Sequence, residues 1–130
     1  MATGASVCDD LYVKASVLIV DDHPAFRASA RSLLEGEGYE VVAETDSGES
    51  AVELALELVP DLVLLDVALP DLSGLEVAER LAQCRSKVVL VSSRDPRDFG
   101  ARFRRTSAVG FIPKDDLSPE TLKELLKGSP

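Results

Sequence analysis

The feature that most restricts this chain is a set of apolar runs that do not alternate with polar residues. Val17-Leu18-Ile19-Val20, Leu62-Val63-Leu64-Leu65 and Val88-Val89-Leu90-Val91 are all uninterrupted. A strand with one face in water alternates; runs like these need cover on both faces, as in a parallel sheet clad by helices. Two of them end on acid, the first at Asp21-Asp22 and the second at Asp66. Ligands in open α/β sheets bind at the carboxyl edge of the strands. Carboxylates gathered there repel one another, so they call for a divalent cation, a proton or an incoming electrophile.

The rest of the chain alternates in the same way. Strands are expected near 16–21, 40–44, 61–66, 87–92 and 108–112, each between segments of helical period. Pro24 suits a first helical position, with Phe26, Ala30, Leu33 and Leu34 forming one stripe. Asp46 and Glu49 have capping-box spacing ahead of Ala51, Ala55, Leu58 and Val59. Ser73 and Glu76 repeat it before Leu75, Ala78 and Leu81, and Ser118-Pro119-Glu120 opens a last helix carrying Leu122, Leu125 and Leu126. The weakest helix is expected over 95–106, where the interior Gly100 costs roughly 1 kcal/mol relative to alanine. Five strands and five helices in strict alternation make a flavodoxin-like, doubly wound α/β domain. Strand order 2-1-3-4-5 is its commonest arrangement, and it puts the ends of the first and third strands side by side.

Composition narrows the function. A chain of 130 residues supports one core, and a net charge of −9 disfavours nucleic acid and anionic membrane. No run approaches a membrane span, and Met1 to Lys14 reads as a flexible leader without the marks of a signal peptide. A cytoplasmic protein is expected. Cys8 and Cys84 are too few for a disulfide framework. The carboxyl edge then gathers Asp21, Asp22 and Asp66 with Ser92, which follows the fourth strand, and Lys114, which follows Phe111-Ile112-Pro113. Singly, each of these is an ordinary turn, cap or surface residue. At four matching strand ends they are a constellation.

This set resembles the receiver domain of bacterial two-component response regulators, over about residues 15–128. Val17 to Pro24 resembles the receiver opening in its NarL-like form, Pro60 to Gly74 the acceptor strand with its loop, and Gly110 to Lys114 the lysine strand. The resemblance implies that Asp66 takes a phosphoryl group from a sensor histidine kinase or phosphotransfer protein. It implies Mg2+ held by Asp22, Asp66 and the main-chain carbonyl of Ala68, with Asp21 acting on the ion through water. Lys114 and Ser92 would contact phosphoryl oxygens, and Ser92 with Phe111 would form the switch. No enzyme activity is implied beyond self-phosphotransfer and slow autodephosphorylation. Asp115 after Lys114, and Thr106 to Gly110 before the lysine strand, depart from the commonest receiver pattern.

No effector domain or DNA-binding motif lies within these residues, so output is expected through protein contacts. Between Arg94 and Arg105 five arginines and two aspartates leave a local balance of +3 (5 − 2). A phosphorylation-dependent homodimer or an acidic protein target, met through residues 95–127, is the expected output. Two other classes compete. A pseudo-receiver adaptor would keep the fold without the chemistry, against which the intact Asp21, Asp22, Asp66, Ser92 and Lys114 argue. A magnesium-dependent aspartyl-phosphate phosphohydrolase would need an acid/base Asp two residues past the nucleophile, where Ala68 stands.

Overall fold

The computed structural model describes residues 14–93 and 106–127. Along the chain come β1 (Ser16–Val20), α1 (Pro24–Gly36), β2 (Glu40–Thr45), α2 (Gly48–Leu58), β3 (Leu62–Asp66), α3 (Gly74–Arg80), β4 (Lys87–Ser92) and β5 (Gly110–Pro113). A 3-10 turn (Lys114–Asp116) and α4 (Pro119–Lys127) follow. The strands form one sheet of order β2-β1-β3-β4-β5, the expected 2-1-3-4-5, and every adjacent pair is parallel. Residues 95–105 of the helix expected over 95–106 lie outside the described residues.

The period of two along each strand divides the core between the faces. Leu18, Val20, Val63, Leu65, Val88 and Leu90 pack with Ala51, Ala55, Leu75, Ala78 and Leu81 of the α2–α3 layer. Val17, Ile19, Leu62, Leu64, Val89, Val91 and Ile112 pack on the other side with Ala30, Leu34 and Leu122 of α1 and α4. A fully buried Val or Leu contributes roughly 1.5–3 kcal/mol, so slipping a strand by one residue would cost more than any surface contact could return. That register is what fixes the strand ends, and with them the pocket.

Local chemistry adjusts the expected boundaries. Asp61 is not in the strand: its Oδ2 accepts from the main-chain N–H of Ser16 at 2.7 Å and from the Ser16 hydroxyl at 3.2 Å, and its own N–H donates to Ser16 Oγ at 3.0 Å. This clamp ties β1 to the start of β3 at the amino edge. Ser47, not Asp46, caps α2, accepting from Ser50 N–H at 3.0 Å. Leu58 and Val59 are exposed because α2 ends there, Val59 taking a left-handed conformation with φ 44°. Among the described residues no helix is long and apolar enough to cross a membrane.

Candidate functional site

The ends of β1 and β3 are neighbours, with Val20 opposite Leu65, so Asp21 and Asp66 emerge together. Both are buried, whereas Asp22 is partly open to solvent. Lys114, carried there by β5, brings its ammonium 2.7 Å from Asp21 Oδ2 and 3.4 Å from Asp66 Oδ2. Its position is supported by the Phe26 ring on α1, 4.6 Å from the nitrogen, a cation–π distance. The other Asp66 oxygen, Oδ1, accepts from Ala68 N–H at 3.1 Å.

Ser92, also buried, ends β4 opposite Pro113. Phe111 lies opposite Leu90 and packs, half-buried, against the α2–α3 side of the core. Strand register thus brings Asp21, Asp66, Ser92 and Lys114 to a single edge, with Phe111 on the strand leading into it. Asp22 stands at its rim. Ala68 is represented by its main chain, since its methyl group is exposed.

The electrostatics follow from burial. Removal from water holds the Asp66 carboxyl above the usual carboxylate range; the Ala68 N–H opposes this, the Asp21 charge adds to it, and Lys114 opposes it. Lys114 meets Asp21 as an ion pair without hydrogen-bond geometry, and the buried Asp21 Oδ2 accepts no hydrogen bond among the described residues. One ammonium thus serves two buried carboxylates, and the Asp22 carboxylate stands beside them, so negative charge is in excess at this edge. Three carboxylates converging with one ammonium between two of them are a donor set that fits a hard divalent cation such as Mg2+.

Three residues complete the site that the strand-end pattern did not single out. His23 Nδ1 lies 3.0 Å from Asp21 Oδ1 and 3.1 Å from Asp22 Oδ1. Its place directly after Asp21-Asp22 was the available signal. Arg27 Nη1 donates to the Asp21 carbonyl at 2.5 Å, one helical turn after His23, and its Nε pairs with Glu44 at 3.3 Å. Asp71 accepts from Gly48 N–H at 2.8 Å and Glu49 N–H at 3.0 Å, joining the loop after Asp66 to the start of α2. Those two N–H groups hold its carboxyl below the usual range.

The family model of the response regulator receiver domain matches residues 17–127. The chain belongs to that family. Receivers serve phosphorylation-dependent signalling in two-component systems, meeting a histidine kinase or phosphotransfer partner, and generally bind Mg2+ at an acidic pocket. Among curated relatives, the virulence-factor transcription regulator BvgA of Bordetella pertussis is 41% identical over 102 residues, covering 77% of this chain and 49% of BvgA. The chain spans about half the length of the curated relatives it matches. Among solved receivers, that of NarL from Mycobacterium tuberculosis superposes with TM-score 0.78 at 33% identity, covering 88% of this chain and 94% of the other. The Thermotoga maritima CheB receiver gives 0.77 at 26%, covering 88% and 96%. Likeness to both leaves the branch within the receivers unassigned.

Proposed function

We propose that this receiver is a phosphorylation switch of the NarL-like branch, acting in the cytoplasm, with Asp66 as its phosphoryl acceptor. The observation that carries the reading is the placement of the Lys114 ammonium between the Asp21 and Asp66 carboxylates. In the transfer, an Asp66 oxygen attacks the phosphorus of a kinase or phosphotransfer phosphohistidine. The P–N bond breaks as the P–O bond forms, and the imidazole leaves. A carboxylate is a weak nucleophile, so positioning and charge neutralisation must supply the rate. Ala68 N–H orients the carboxylate, Lys114 pairs with a phosphoryl oxygen, and the Ser92 hydroxyl takes another. Asp22, Asp66 and the Ala68 carbonyl would hold Mg2+, with Asp21 behind them. When bound, the ion supplies positive charge to the phosphoryl oxygens.

The output follows from Ser92 and Phe111, which pass the phosphoryl signal on to partner contacts made through residues 95–127. Its partner is a second copy of the chain or an acidic protein target, with no direct contact to nucleic acid or membrane from this segment. Catalysis of any other substrate is not part of this reading. Incubation with Mg2+ and an acyl-phosphate donor should give one acid-stable, base-labile phosphoaspartate. Asp66→Asn should abolish it; undiminished labelling of that variant would remove Asp66 as acceptor.

A further inference from the structure

We propose that Asp71 is a positioning residue for phosphoryl transfer: by bonding the first two N–H groups of α2, its carboxylate sets the loop between β3 and α3 so that the Ala68 main chain faces Asp66. This rests on the acceptor reading above and goes beyond it in naming what holds the loop. The base of the loop is closed by its own bonds. Ala68 N–H donates to Asp66 Oδ1 at 3.1 Å, Ala68 and Ser73 form an isolated antiparallel bridge, and Gly74 N–H donates to the Val67 carbonyl at 2.7 Å. The tip is fixed from α2. Asp71 Oδ1 accepts from Gly48 N–H at 2.8 Å and Asp71 Oδ2 from Glu49 N–H at 3.0 Å, across 23 and 22 positions of sequence. Beside these bonds Leu72 lies so close that a Cβ on Gly48 would stand 2.9 Å from the Leu72 Cβ.

Two roles for this carboxylate compete. One is a cap alone: the first N–H groups of a helix have no partner within it, and a negative charge there also suits the helix dipole. Ser47 does such work from inside the helix, its hydroxyl accepting from Ser50 N–H at 3.0 Å. The other role is to hold the loop, and two features favour it. Asp71 is exposed, so water can replace much of what its carboxylate gives the helix, whereas water does not tie the loop to α2. Its two oxygens bond adjacent N–H groups, one each, and a two-point attachment fixes direction as well as distance. What is fixed at the tip is fixed also at Ala68, three residues away, whose N–H orients the Asp66 oxygen and whose carbonyl is a proposed Mg2+ ligand. Misplacing a reacting group by about 1 Å costs up to about 100-fold in rate.

The test sets Asp71→Ala beside Ser47→Ala, which removes a cap from the same helix and leaves the loop tied. The full chain is labelled with an acyl-phosphate donor over a series of Mg2+ concentrations, the Tm is recorded, and the Ala68 amide is followed in 1H–15N spectra. Asp71→Ala should be labelled roughly tenfold more slowly at saturating Mg2+, with Mg2+ bound more weakly and the Ala68 amide shifted. Ser47→Ala should lose as much Tm or more, yet keep its labelling rate within about twofold of wild type and its Ala68 amide in place. Asp71→Asn, whose one amide oxygen can accept from Gly48 N–H, should recover part of the rate. Labelling of Asp71→Ala at the wild-type rate, or slowing of both alanine variants in step with their Tm, overturns the proposal. A wild type that takes no phosphoryl group overturns the acceptor reading instead; Mg2+ affinity and the Ala68 amide then still decide whether Asp71 sets the loop.

Discussion

At Gly74 there is no room for a methyl group: a Cβ there would lie 2.2 Å from the Asp66 carbonyl oxygen and 2.7 Å from Val67 Cα. Its N–H also donates to the Val67 carbonyl at 2.7 Å, so the start of α3 is pressed against the backbone that carries the acceptor. Alanine normally favours a helix over glycine by up to about 1 kcal/mol, and less at a first turn. A backbone collision of this kind outweighs that gain. Gly74→Ala is expected to destabilise the protein by about 1–3 kcal/mol and to slow Asp66 phosphorylation, because the strain falls on the acceptor's own peptide. Denaturant unfolding together with acyl-phosphate labelling checks both; unchanged stability would mean that the loop yields freely.

At the scale of elements, α2 shows what can be read from sequence and what cannot. The strands were legible because uninterrupted apolar runs have one economical solution, burial on both faces. The cap of α2 falls one residue beyond the capping-box position because Asp46 and Ser47 are both good caps, and Glu49 satisfies the spacing rule for Asp46. Leu58 and Val59 fit the apolar stripe, but the helix stops before burying them. The tie from Asp71 to Gly48 and Glu49 joins residues more than twenty positions apart, and no periodicity reports such a contact. In the site, strand ends were legible and their neighbours were not: His23 and Arg27 reach the pocket through the turn into α1. Val59 carries a prediction of its own. A β-branched residue in the left-handed region costs about 1–2 kcal/mol, and this side chain is 51% exposed, so it loses little on removal. Glycine relieves that strain against an entropic cost of about 0.5–1 kcal/mol. Val59→Gly should therefore raise stability by about 0.5–1 kcal/mol and the Tm by a few degrees; a lower Tm would mean that the Val59 methyl groups hold more than their exposure suggests.

At the scale of the whole molecule, a net charge of −9 is carried on a domain whose carboxyl edge concentrates three carboxylates. Self-repulsion of this kind works against the compact state. Burial holds the Asp66 carboxyl above its usual range, and the Asp21 charge adds to it: between the unfolded and folded values, the folded protein holds a proton that the unfolded chain has released. Stability from that proton is complete below the unfolded pKa and is lost as pH rises through the folded pKa. In EDTA, Asp66→Asn should become increasingly more stable than wild type as pH rises above the unfolded carboxylate value of about 4. Millimolar Mg2+ should narrow the gap by raising the wild-type Tm alone. A Tm difference independent of both pH and Mg2+ would show that Asp66 carries no electrostatic strain.

The ammonium of Lys114 rests closer to Asp21 than to Asp66. Under the proposed transfer it would have to leave one partner to meet the phosphoryl group, abandoning a buried oxygen that accepts no hydrogen bond among the described residues. Burying a polar atom without a partner is costly, so the idle state is held in place and has no slack. A device with a catch at rest responds to a committed stimulus and ignores thermal jitter. The threshold of this signal would then be set by how firmly one lysine grips the carboxylate that never receives the message.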